Sequence, residues 1–110
     1  MLFDITIDQE NFQLDIPEKL LEELKPVCED MDKEFEGGVQ MGRYWVESPG
    51  DFERCQVAAD RVASAMARED KRMLYINAAY ILYKAPTLNH VTVDTEYEMQ
   101  DIDIVLNAPE

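Results

Sequence analysis

Histidine and cysteine are nearly missing from this chain: 110 residues hold one histidine, His90, and two cysteines, Cys28 and Cys55. A structural zinc site draws on clusters of these residues, so none is expected. The cysteines form no C-x-x-C pair, and both fall at apolar positions of helical patterns. That placement predicts buried, inert thiols rather than nucleophiles or a disulfide. Long apolar runs are also missing. No stretch approaches the roughly 20 apolar residues of a membrane span. Asp4, Asp8 and Glu10 interrupt any leader-like start, so a reducing cytoplasm is the expected location.

Positive charge is scarce. Ten Lys and Arg stand against 24 Asp and Glu, for a net charge of −14. This argues against nucleic-acid phosphates and anionic membranes as partners, and favours basic ones. The deficit is uneven: residues 1–36 carry −9, residues 37–90 carry +1 and residues 91–110 carry −6. Only 4 glycines are present. Gly37 and Gly42 have phosphate-loop spacing, but Arg43 and Tyr44 stand where Lys and Ser/Thr are required. Asp32-x-Glu34-x-Glu36-Gly37 resembles the start of a calcium loop, yet Arg43 occupies the position of the closing bidentate carboxylate.

Apolar residues are present in ordinary amount, 46% of the chain, enough for one core. Phe3, Ile5 and Ile7, then Phe12, Leu14 and Ile16, alternate with polar residues on either side of a short polar linker, which predicts a β-hairpin. Pro17 suits the first turn of a helix carrying Leu20, Leu21 and Leu24, and Pro26 predicts a break or kink before a second helix to Glu36. Val27, Cys28, Met31 and Phe35 would form that second helix's inner stripe. Residues 37–50 read as a loop or short irregular element. A third helix is expected from Pro49 to Arg68, with Ser48 as N-cap and Phe52, Cys55, Ala59, Val62 and Met66 as its inner stripe. Residues 70–85 form another, apolar nearly all round from Met73 to Tyr83 except at Asn77, and so the central helix of the fold. Residues 91–95 read as a strand, and Ile102, Ile104 and Leu106 as one more.

These patterns predict an α+β fold: a small antiparallel β-sheet, made of the N-terminal hairpin and the C-terminal strand, packed against three to four α-helices. Residues 1–108 form one domain, and 109–110 a frayed end. Asp4, Asp15, Asp94 and Asp103 would line the solvent face of the sheet.

Two groups of residues suggest binding. Arg43, Tyr44 and Trp45 are of the types enriched at interface hot spots, although Trp45 can instead anchor its loop on the core. Arg54, Arg61 and Arg68 recur every seven residues on the polar side of their helix. They can pair with the chain's own acidic helix, meet the acidic segment of a second copy, or take a small anion. The expectation is therefore a small cytoplasmic interaction or regulatory module without catalysis or cofactor. Its partner is a protein, a homodimer being one form, and neither nucleic acid nor membrane. One alternative is a metal-dependent enzyme or metal-binding protein using His90, Asp94 and Glu96, which even spacing on a strand would place on one face. A further alternative is an acidic nucleic-acid mimic, against which the basic middle helix speaks.

Overall fold

A computed structural model describes residues 1–107. The expected frayed end at 109–110 lies outside the described residues. Strands β1 (Leu2–Ile7) and β2 (Glu10–Asp15) form the N-terminal hairpin, with Leu2 opposite Asp15 and Ile7 opposite Glu10. The two turn residues, Asp8 and Gln9, have φ of 50° and 73°. This is the left-handed pair that matches the twist of a two-residue hairpin. Period two then puts Phe3 and Ile5 on the core face, fully buried, and Asp4 and Thr6 on the other.

The sheet departs from expectation in direction. Strand β5 (Leu88–Val93) lies parallel to β1, with Ile5 opposite Val91, and β6 (Asp103–Leu106) runs antiparallel to β5. The order is β2-β1-β5-β6, a mixed sheet rather than an antiparallel one. Alternation reveals which face a residue takes, not which way its strand runs. The long helical stretch between β2 and β5 supplies the crossover that a parallel neighbour needs.

Three helices are present among the described residues: α1 (Glu18–Glu36), α2 (Asp51–Ala67) and α3 (Lys71–Lys84). The break expected at Pro26 does not occur. Pro26 and Glu22 are both exposed, so water satisfies the carbonyl that proline leaves without a donor. The α1 face with Cys28, Met31 and Phe35 is buried, whereas Val27 is turned outward. Helix α2 starts later than expected. Gly50, not Ser48, is its N-cap, and the Gly50 N–H donates to Glu53 Oε1 at 3.1 Å. With that start Phe52 leaves the inner stripe and is 54% exposed.

Helix α3 packs against both α1 and α2. Its second half, Asn77–Leu82, is buried, while Met73 and Tyr83 at its two ends reach the surface. Ala58 and Ala59 on α2 and Ala78 and Ala79 on α3 are buried, and small residues on both sides let helix axes approach closely. Residues 37–50, expected to be irregular, contain a second hairpin of β3 (Val39–Met41) and β4 (Tyr44–Val46). Three-residue strands are too short to carry a periodic signal.

Candidate functional site

The β3–β4 hairpin is held by named contacts at both ends. Gly38 has φ of +94°, and a Cβ there would lie 2.6 Å from Trp45 Cζ2. The indole therefore rests against bare backbone, which only glycine permits. At the tip, Gly42 has φ of +62°, and Arg43 Nη2 lies 3.4 Å from Glu98 Oε1. Gln100 Nε2 donates to Met41 O at 2.9 Å. The buried Gln56 of α2 in turn donates to Gln100 O and Ile102 O, both at 2.9 Å. This chain of amides ties the hairpin to the segment before β6. Yet Tyr44 is 62% and Trp45 58% exposed. Trp45 thus lies over its own loop and is not a core anchor.

The arginine stripe divides. Arg54 is engaged inside the molecule: its Nη1 donates to Asp32 Oδ1 at 3.0 Å and its Nε to Pro49 O at 2.9 Å. Asp32 also accepts from Tyr80 Oη at 2.6 Å and from Lys84 Nζ at 2.9 Å, and Lys84 reaches Asp51 at 3.2 Å. One carboxylate on α1 thereby ties α2 and α3 together. Burial alone would raise the Asp32 pKa, but the Tyr80, Lys84 and Arg54 hydrogen bonds outweigh it and hold it below the usual carboxylate range. Arg61 lies over the buried aromatic of α1, its guanidinium 5.4 Å from the Phe35 ring centre. Arg68 is exposed at the C-terminal end of α2. Neither Arg61 nor Arg68 joins an ion pair among the described residues.

The metal alternative loses its ligand geometry. Strand β5 ends at Val93, and Asp94 turns back so that its Oδ1 accepts from Glu96 N at 3.0 Å. No group of three or more His, Cys, Asp or Glu is placed to hold a metal among the described residues. His90 instead lies on the outer face of the sheet, with Nδ1 3.5 Å from Asp4 Oδ2 and Nε2 2.7 Å from Thr6 Oγ1. Carboxylate, imidazole and hydroxyl follow in the order that activates a serine. But the Thr6 hydroxyl also donates to Asn11 Oδ1 at 3.1 Å. Thr6 Oγ1 is thus shared between the Asn11 amide and the His90 imidazole. The group is a cross-strand polar cluster. Burial pushes the Cys28 thiol up to about 11 and the Cys55 thiol up to about 12, far from a reactive thiolate.

Two important polar residues were not visible as such in the sequence. Asp32 stands one helical turn from both Cys28 and Phe35, on an inner stripe where a carboxylate needs partners. That position was its only signal, and the neighbouring acids at 30, 34 and 36 obscured it. Asn77 was the single polar interruption of an apolar helix, and it proves fully buried. Comparison of the chain with protein-family models, with curated proteins and with solved structures gave no match in any of the three.

Proposed function

We propose that this chain is a non-catalytic interaction module that works without a cofactor and contacts a protein partner through its β3–β4 hairpin. The observation that supports this is the exposed aromatic pair Tyr44 and Trp45, with the Trp45 ring already set on Gly38. A prepositioned tryptophan loses little freedom on binding, and aromatic residues with arginine dominate interface energetics. Arg43 extends the same patch, since its contact to Glu98 is long and exposed. The net charge of −14 favours a partner with a basic rim around an apolar centre. Two inert free thiols suit a reducing cytoplasm.

Trp45→Ala and Tyr44→Ala test this reading. Each should leave the melting temperature within about 2 °C of wild type, because neither side chain is in the core. Each should also weaken partner capture at least about tenfold, read by affinity selection with the wild-type chain as competitor. Sedimentation velocity of the purified chain identifies the case in which the partner is a second copy. Unchanged capture by both variants, or collapse of the fold in Trp45→Ala, overturns the reading.

A further inference from the structure

Strand β6 forms one side of the four-stranded sheet, and among the described residues no strand pairs with its outer edge. Two contacts decide which of its peptide groups lie open. Asn107 N donates to Thr87 O at 2.7 Å, and Asp8 N donates to Val93 O at 3.0 Å. Peptide groups alternate in direction along a strand. The first contact therefore turns the groups of residues 103, 105 and 107 inward to β5. The second turns those of His90 and Thr92 toward β6, where they meet Val105 and Asp103. The N–H and C=O of Ile104 and Leu106 are left facing outward. Side chains alternate between the two faces of the sheet. Ile104 and Leu106 share the helix-covered face, where with Phe52, Cys55 and Pro86 they line a cavity of about 210 Å³. Asp103, Val105 and Asn107 share the outer face. Phe52, Val105 and Leu106 are all exposed.

This edge is complementary to itself. Two copies related by a two-fold axis through Val105 run antiparallel, with Val105 opposite its symmetry mate and Ile104 opposite Leu106. That register keeps every side chain on its own face. It also sets the outward groups of Ile104 and Leu106 against each other, so each such pair exchanges both of its hydrogen bonds. Leu106 of the second copy falls on the helix side beside Ile104, where the cavity opens. Charge fits as well. Asp103 falls opposite Asn107, whose Oδ1 already accepts from Asn89 Nδ2 at 2.7 Å, so its own NH₂ remains to donate to the carboxylate. A register slipped toward Ile102 is poorer, since Ile102 N already donates to Met99 O at 3.2 Å. The opposite edge of the sheet, β2, carries Glu10 and Asp15 at its two ends, charges that keep edges unpaired.

We propose that the β6 edge seats a second copy of this chain, joining the two four-stranded sheets into one across a two-fold axis at Val105. The contact is short and each chain carries −14, so association is weak, with a Kd on the order of 10–100 µM. It shares no residue with the β3–β4 hairpin and does not rest on the interaction reading.

Sedimentation equilibrium between about 5 and 500 µM at physiological salt reads the association. Wild type should pass from monomer to dimer over that range. Leu106→Pro removes an N–H that only the second copy uses, and proline is tolerated at such edge positions. That variant should stay monomeric throughout, with a melting temperature within about 3 °C of wild type. Trp45→Ala should dimerise as wild type does, which separates this contact from the hairpin. Register is read by cross-linking with diamide, from which the native Cys28 and Cys55 are buried. Val105→Cys brings two thiols together on the axis. It should cross-link at least about tenfold faster than Asp103→Cys, whose thiols lie about 13 Å apart along the strands. These two variants carry the test should Leu106→Pro not fold. A chain that is monomeric to about 500 µM, its edge left to a foreign strand, overturns the proposal. So do a folded Leu106→Pro that still dimerises, loss of the dimer in Trp45→Ala, and equal cross-linking of the two cysteine variants.

Discussion

Removing the Asp32 carboxylate should be among the most damaging single changes available on α1. Asp32→Ala strips Arg54 and Lys84 of a shared partner and leaves the Tyr80 hydroxyl without its acceptor. The side chains of Asp32, Arg54 and Lys84 are 19%, 15% and 17% exposed, so water only partly replaces what is lost. Breaking a buried pair costs about 3–5 kcal/mol, and the residual exposure, with Asp51 still beside Lys84, brings this to about 3 kcal/mol. For a chain of this size that is a fall in melting temperature of about 12 °C. Tyr80→Phe removes one hydrogen bond and leaves both charges paired, so it should cost about 1–1.5 kcal/mol. The acid limb adds a second signature. The folded pKa of Asp32 lies below its unfolded value, so its stabilisation is complete above about pH 4–5 and is lost as pH falls through the folded pKa. Urea melts of wild type and Asp32→Asn should therefore differ by a constant amount at neutral pH and converge as the pH falls through the folded pKa. A gap that persists undiminished at the acid end, or a fall below about 2 °C for Asp32→Ala, would refute this account of the network.

Two further outcomes follow from burial and backbone chemistry. Cys28 and Cys55 should resist a thiol reagent at pH 8 in the native protein and react within minutes in denaturant, as a mass-spectrometric time course would show; rapid labelling of either under native conditions contradicts their placement. Pro26→Ala should stabilise the chain by about 1–3 kcal/mol, because an exposed mid-helix proline gives up a hydrogen bond that alanine restores; calorimetry showing no gain would mean that α1 is already interrupted there.

What could be read in the residues beforehand was the period, and what could not was the partner. The N-terminal hairpin was legible because Phe3, Ile5 and Ile7 and then Phe12, Leu14 and Ile16 alternate without exception. Helix α3 was legible as a largely buried element because its apolar residues leave few polar faces. Strand direction was not, since Ile5 and Val91 pair across a distance that no local pattern spans. Pro26 misled because a proline in mid-helix weakens a helix without having to end it: the packing of Cys28, Met31 and Phe35 carries α1 through the missing hydrogen bond. Phe52 misled because its spacing fits the stripe, but the late start of α2 puts it in the first turn, beside solvent. Among the candidate residues, Trp45 and Arg54 look alike as letters. Their difference lies in tertiary neighbours: Gly38 beneath the indole, and Asp32 opposite the guanidinium.

The parallel pairing of β1 with β5 has a consequence for biosynthesis. Strand β1 leaves the ribosome long before β5, and its second edge stays uncovered until β5 follows. Until then the hairpin has Phe3 and Ile5 on one side and an open row of amides on the other. Closure is thus a late, chain-length-dependent event, in which long-range contact must offset a large loop entropy. A nascent chain stalled before residue 88 carries an unfinished, sticky sheet, and the flanking acids Asp4, Asp8, Glu10 and Asp15 are what keep such edges apart by mutual repulsion.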